Sequence, residues 1–186
     1  MVKLYNKTRY PDAILSALLT RAGRSIGART SGVVVKVTAG RTSGHCRGLA
    51  TECDWVYEWS LRNLKSRRQG KRIKGRAIAT DGGEIELTLP LPSKDCLATA
   101  ENVFAVALHE WGHIRDFQHG GRLRFAFSTK AQSGRRPAWR DRPEEIRADE
   151  YRKDALAKID KGKVQSADDE ILALALWMES TQEIRI

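Results

Sequence analysis

Between Thr99 and Gly120 the chain runs for twenty residues without a proline. The apolar members of this stretch, Val103, Phe104, Val106, Ala107, Leu108, Trp111, Ile114 and Phe117, recur at helical spacing. Thr99 can cap its start and Gly120-Gly121 supplies a stop, so a helix over residues 100–119 is predicted. Embedded in it is the polar segment His109-Glu110-Trp111-Gly112-His113. Residues four apart on a helix lie one above the other, so both imidazoles can point at one ion while Glu110 stands beside them. The bland alternative is an exposed histidine pair on a polar face, but imidazoles inside an otherwise apolar helix need partners.

The pair is half of a zinc site. Zinc takes neutral imidazole nitrogens and carboxylate oxygens, and a catalytic site keeps three protein ligands plus a water. Two candidates compete for the third position. His119 lies six residues beyond His113, which on an unbroken helix is about 240° around the axis and pointing away. A chain turn toward the metal would need a glycine where Asp116 stands. The other candidate is Glu145, on a helix predicted to open at Pro143 and end near Ile159. Asp149, four residues on, would face the same way and accept the ring N–H of a ligand histidine. Glu144 is the fallback if the register slips by one. Taken alone, these acids read as a solvated face paired with Arg147, Arg152 and Lys153. The His-Glu-x-x-His segment upstream turns them into candidate ligands. A separate cysteine site from His45, Cys46 and Cys53 has spacing that matches no common zinc module and no evident fourth ligand.

With His109, Glu110 and His113 followed by Glu145-x-x-Ala148-Asp149-x-Tyr151, the chain resembles the gluzincin metallopeptidases. Within that group it is similar to the small bacterial and phage minigluzincins, including ImmA/IrrE-type peptidases; SprT-like proteases, which act on DNA-bound proteins, are a related comparison. The resemblance covers roughly residues 84–159. It implies an α+β, zincin-like fold: a small mixed or antiparallel sheet on the active-site helix, with further C-terminal helices. It implies Zn2+ on His109, His113 and Glu145, Glu110 as catalytic base, Asp149 behind a ligand histidine, and a protein or peptide substrate. It also implies a sheet-edge strand above the metal, a place that Glu84 to Leu89 is in the right order to fill. Tyr151, His119 and the arginines of the 120–141 connection are the candidates for stabilising an oxyanion.

Elsewhere, Pro11, Ile14, Leu15, Leu18 and Leu19 predict a helix over 11–22 that stops near Gly23, and Val33 to Val37 predict a buried strand. His45 to Trp59 is ambiguous. Residues 73–80 and 84–89 flank Asp81-Gly82-Gly83, a turn signal that predicts a hairpin. Residues 120–141 read as a long irregular connection, and Ser166 caps a last predicted helix through Glu179. Helix, strands, then a run of helices is the order of an α+β domain, and 186 residues fit a single one over 1–186, with a basic insertion or hairpin about 60–78. Three cysteines without a CxxC unit, no signal-peptide pattern and no long apolar run predict a cytoplasmic protein without a membrane span.

The net charge of +10 is uneven: residues 1–80 hold 17 Lys/Arg against 4 Asp/Glu, and residues 81–186 hold 16 against 19. Eight cations fall between Arg62 and Arg76. They read either as a solvated loop or as a phosphate-binding run, which keeps a second function class open: a nucleic-acid-binding protein whose metal site is structural or vestigial. If the run binds DNA, replacing Arg67, Arg68, Lys71 and Arg72 by serine should flatten the log–log salt dependence by about 3, since each phosphate contact contributes about 0.9. Titration of labelled duplex and single-stranded DNA at several salt concentrations tests this. Wild-type protein that fails to bind even at low salt eliminates the nucleic-acid contact.

Overall fold

The β-branched run Val33 to Val37 becomes the centre of the sheet. A computed structural model of the protein describes residues 2–8, 10–40, 46–53, 55–57, 77–90, 100–119, 138 and 141–158. Their element order is β1 (Lys3–Lys7), α1 (Asp12–Ser25), β2 (Val34–Gly40), β3 (Arg47–Thr51), β4 (Trp55–Tyr57), β5 (Ala77–Ala79), β6 (Glu84–Pro90), α2 (Ala100–Gln118) and α3 (Pro143–Lys158). The fold is α+β with a small mixed sheet and, among the described residues, three helices. The basic run, the helix predicted at 166–179 and the 120–141 connection apart from Ala138 and Asp141 lie outside the described residues. No described helix is long and apolar enough to cross a membrane.

The four-stranded sheet has the order β1-β2-β6-β3. β1, β2 and β6 are parallel, and β3 runs antiparallel on the outer side of β6. Period-two alternation sends Val35 and Val37 of β2 and Ile85, Leu87 and Leu89 of β6 to one face. There they meet Leu15, Leu18, Leu19 and Ala22 of α1 and Phe104, Ala107, Leu108 and Trp111 of α2, all essentially inaccessible to water. The other face carries the ion pair of register partners Lys36 and Glu86, Nζ to Oε1 2.8 Å. β1 was not expected from the sequence; its alternation of Lys3, Leu4, Tyr5, Asn6 and Lys7 offers a single strong apolar residue.

Two expectations are corrected. The residues around Asp81-Gly82-Gly83 do not form a hairpin with each other. β5 pairs with β4, while β6 pairs with β2 and β3. The segment from β3 to β4 thus lies alongside the segment from β5 to β6 as one bent ribbon. Three residues, 52–54, separate the paired Thr51 and Trp55, whereas four, 80–83, separate Ala79 and Glu84. The additional residue makes a bulge, and Gly82 (φ 93°) and Gly83 (φ 142°) supply its backbone. The turn signal bends the strand instead of reversing it. Second, Glu84 to Leu89 is not the edge strand. β6 has a neighbour on both sides, and the edge belongs to β3, because the ribbon folds the earlier strand back onto the outside of the later one.

α1 also runs past its predicted end. Gly23 does not stop it, being packed inside against Trp111 with no room for a β-carbon. The stop is Gly27 (φ 75°), whose N–H bonds the Arg24 carbonyl at 3.0 Å while the Ala28 N–H bonds that of Gly23 at 2.9 Å.

On the opposite side of α2, Gly112 meets α3. A β-carbon at Gly112 would lie 2.9 Å from the Cα and 3.1 Å from the Cβ of Ala148, atoms of a packed helix that cannot rotate away. Gly112→Ala should therefore force the two helices apart, lowering the thermal midpoint by about 3–10 °C. It should also weaken zinc binding, read by chelator competition. A midpoint and an affinity equal to wild type would show that α3 does not need this close approach.

Candidate metal centre

Glu145 and Asp149 lie one turn apart on α3, and the Gly112–Ala148 contact brings that face against the histidines of α2. Three donor atoms converge there. His109 Nε2 lies 3.1 Å from Glu145 Oε2 and 3.3 Å from His113 Nε2, and His113 Nε2 lies 3.4 Å from Glu145 Oε2. Among the described residues this is the one group whose His, Cys, Asp or Glu atoms can hold a metal ion. His109 and His113 are each 8% exposed. Their rings meet nearly at right angles, 85°, so their nitrogens converge while their faces do not stack.

The chemistry of this donor set fits a cation. His109 Nδ1 lies 3.0 Å from Asp149 Oδ1 and donates its proton there, which leaves Nε2 with a bare lone pair. That lone pair faces a second imidazole nitrogen and a carboxylate oxygen, an arrangement that repels itself unless a proton or a metal lies between. Four donors around a tetrahedral ion with bonds of about 2.0–2.1 Å stand about 3.3–3.4 Å apart. The observed edges of 3.1, 3.3 and 3.4 Å match one face of such a tetrahedron.

The surroundings disfavour charge on the groups themselves. Burial first, then the neighbouring His109 and Arg147, hold His113 down at about 4, opposed by Asp149. It is therefore neutral near pH 7, the form a metal requires. Burial, followed by the charge of Glu145, pushes Glu110 up to about 8, against a backbone hydrogen bond from Ala50. Glu145 is raised as well, by burial, with His109 pulling the other way.

Glu110 points away from α3, toward the edge strand β3, and its carboxylate occupies the space beside Gly48. Cys46, at the start of the same strand, is a free thiol pushed up to about 12 by burial and then by Glu110. It is not one of the converging donors; Cys53 is also free, and His45 lies outside the described residues. Nor do His119 and Glu144 join the group. His119 sits exposed one residue beyond α2.

A second set of contacts fixes how α3 sits on α2. Asp116 Oδ2 lies 2.6 Å from Arg147 Nη2, Asp116 Oδ1 accepts the Tyr151 hydroxyl at 3.2 Å, and the Arg115 guanidinium lies 4.3 Å from the Tyr151 ring centre. The sequence reading noticed Asp116 only as the residue standing where a turning glycine would be needed. Its place three residues beyond His113, on the α3 side, was the signal for an interhelical anchor. Gly48 was missed altogether, because nothing in the sequence relates it to Glu110.

Family models, curated proteins and solved structures were all compared with the chain, and none matches it.

Single substitutions His109→Ala, His113→Ala and Glu145→Ala should each remove stoichiometric zinc, while His119→Ala keeps it. Asp149→Ala should weaken the site about 10–100-fold. Metal analysis after dialysis and competition with a chromophoric chelator measure this. Zinc kept by Glu145→Ala and lost by His119→Ala would replace Glu145 with His119 as the third ligand.

Proposed function

We propose that the protein is a zinc-dependent metallopeptidase of zincin type, with His109, His113 and Glu145 as ligands and Glu110 as general base. The observation that carries this reading is the set of three convergent donors beside a buried carboxylate that is not one of them. A structural zinc site is closed by four protein ligands, whereas three leave a position for reactants. Among the described residues three converge, which favours a reaction centre over the rival of a structural metal in a nucleic-acid-binding protein.

Zinc at this position supplies a Lewis acid that polarises a carbonyl oxygen and lowers the pKa of water toward about 7. The Glu110 carboxylate takes the proton from the attacking water and afterwards delivers it to the departing amine. Asp149 keeps the His109 proton on Nδ1, so that Nε2 stays a donor. β3 has a strand neighbour on one side only, so its open side can pair with the main chain of an extended peptide and present it across Glu110.

Glu110→Gln tests the reading. The amide fills the same volume but cannot take a proton, so zinc content and thermal midpoint should stay at wild-type values while cleavage of a quenched-fluorescent peptide library falls about 100- to 10,000-fold. A zinc-loaded Glu110→Gln protein that cleaves as fast as wild type would falsify the assignment of Glu110.

A further inference from the structure

Gly48 stands in the interior of β3, where glycine is a poor choice. It loses more backbone freedom on folding than any other residue and offers no side chain to pack. Its conformation does not require glycine, because the positive-φ glycines are Gly27, Gly32, Gly82 and Gly83. Space is the remaining reason. A β-carbon built on Gly48 would lie 2.6 Å from Glu110 Cδ and nearer still to Glu110 Cγ and Oε1. Gly48 pairs with Leu87, a core residue, so its absent side chain would project onto the helix-covered face of the sheet. Glu110 fills that place and is 5% exposed.

We propose that Gly48 is a positioning residue for Glu110: the missing side chain forms a notch in the edge strand that seats the carboxylate beside the metal centre. The proposal rests on the reading of Glu110 as base. It also explains why two small residues, Gly48 and Ala50, occupy the helix-facing positions of a strand packed against α2. A methyl group at 48 meets the end of a flexible side chain and not a backbone, so the strand stays and the carboxylate moves.

Gly48→Ala, made in the full-length zinc-loaded protein, should keep one zinc and melt within about 3 °C of wild type, as an alanine on ordinary strand backbone does. The carboxyl 13C resonance of Glu110, identified by its loss in Glu110→Gln, should shift, and cleavage of the peptide library should fall at least about 100-fold. Retention of both the resonance position and the cleavage rate in Gly48→Ala, while Glu110→Gln is inactive, overturns the notch. If Glu110→Gln is itself fully active, the base assignment fails instead, and the carboxyl resonance alone decides whether Gly48 seats the side chain. Should Gly48→Ala not fold, the same change is made in a Glu110→Ala background. Recovery of folding there shows that the clash is with Glu110, and failure in both backgrounds shows that the glycine serves the backbone.

Discussion

Everything at the metal centre depends on how closely α3 approaches α2. Carboxylate and imidazole side chains are short, so two helices at ordinary separation would leave Glu145 short of the histidine nitrogens. The contact of Gly112 with Ala148 removes the side chains that would hold the helix axes apart, and the donors then meet at 3.1–3.4 Å. Rotation of α3 is fixed separately, by Arg147 and Tyr151 on Asp116, one turn beyond the histidines. A charged anchor therefore sets the angle and a glycine sets the distance.

α2 is held on its other sides too. Trp111, between the two histidines, turns away from them and packs on Gly23 of α1, so one motif supplies ligands to one side and core to the other. At its end, the Gln118 amide accepts the Arg29 N–H at 2.9 Å and donates to the carbonyls of Arg29 and Asp81 at 2.8 and 2.9 Å. Those bonds tie the helix to the bulge that bends the ribbon, and the bulge directs β3 along the sheet edge facing Glu110. The general base and the ligands are thus placed by different neighbours. Ligand geometry comes from α3, and the seat of the base comes from β3.

The electrostatics follow from the same packing. Water is excluded from both histidines and from Glu110, so each group is driven toward its neutral form, His113 down to about 4 and Glu110 up to about 8. Lone pairs crowded in such a place are stabilised by a cation, because no protein donor is available to satisfy all three.

Local patterns announced much of this. The 3.6-residue period and the four-residue spacings of His109 with His113 and of Glu145 with Asp149 set which side chains share a helix face, and that depends on backbone geometry alone. Accordingly α2 and α3 lie where the periodicity puts them, and the donors named from spacing are those that converge. The strands were less legible: Asp81-Gly82-Gly83 has the composition of a reversal, yet whether positive-φ glycines reverse a strand or merely bulge it depends on the strand already lying alongside. For the same reason only the tertiary structure made β3 the edge strand and put Gly48 against Glu110, sixty-two positions later in the chain. Spacing along one helix is fixed by covalent geometry, whereas contact between distant segments is fixed by which surfaces exclude water together. The sequence determined what each helix could present, and the packing decided what it was presented to.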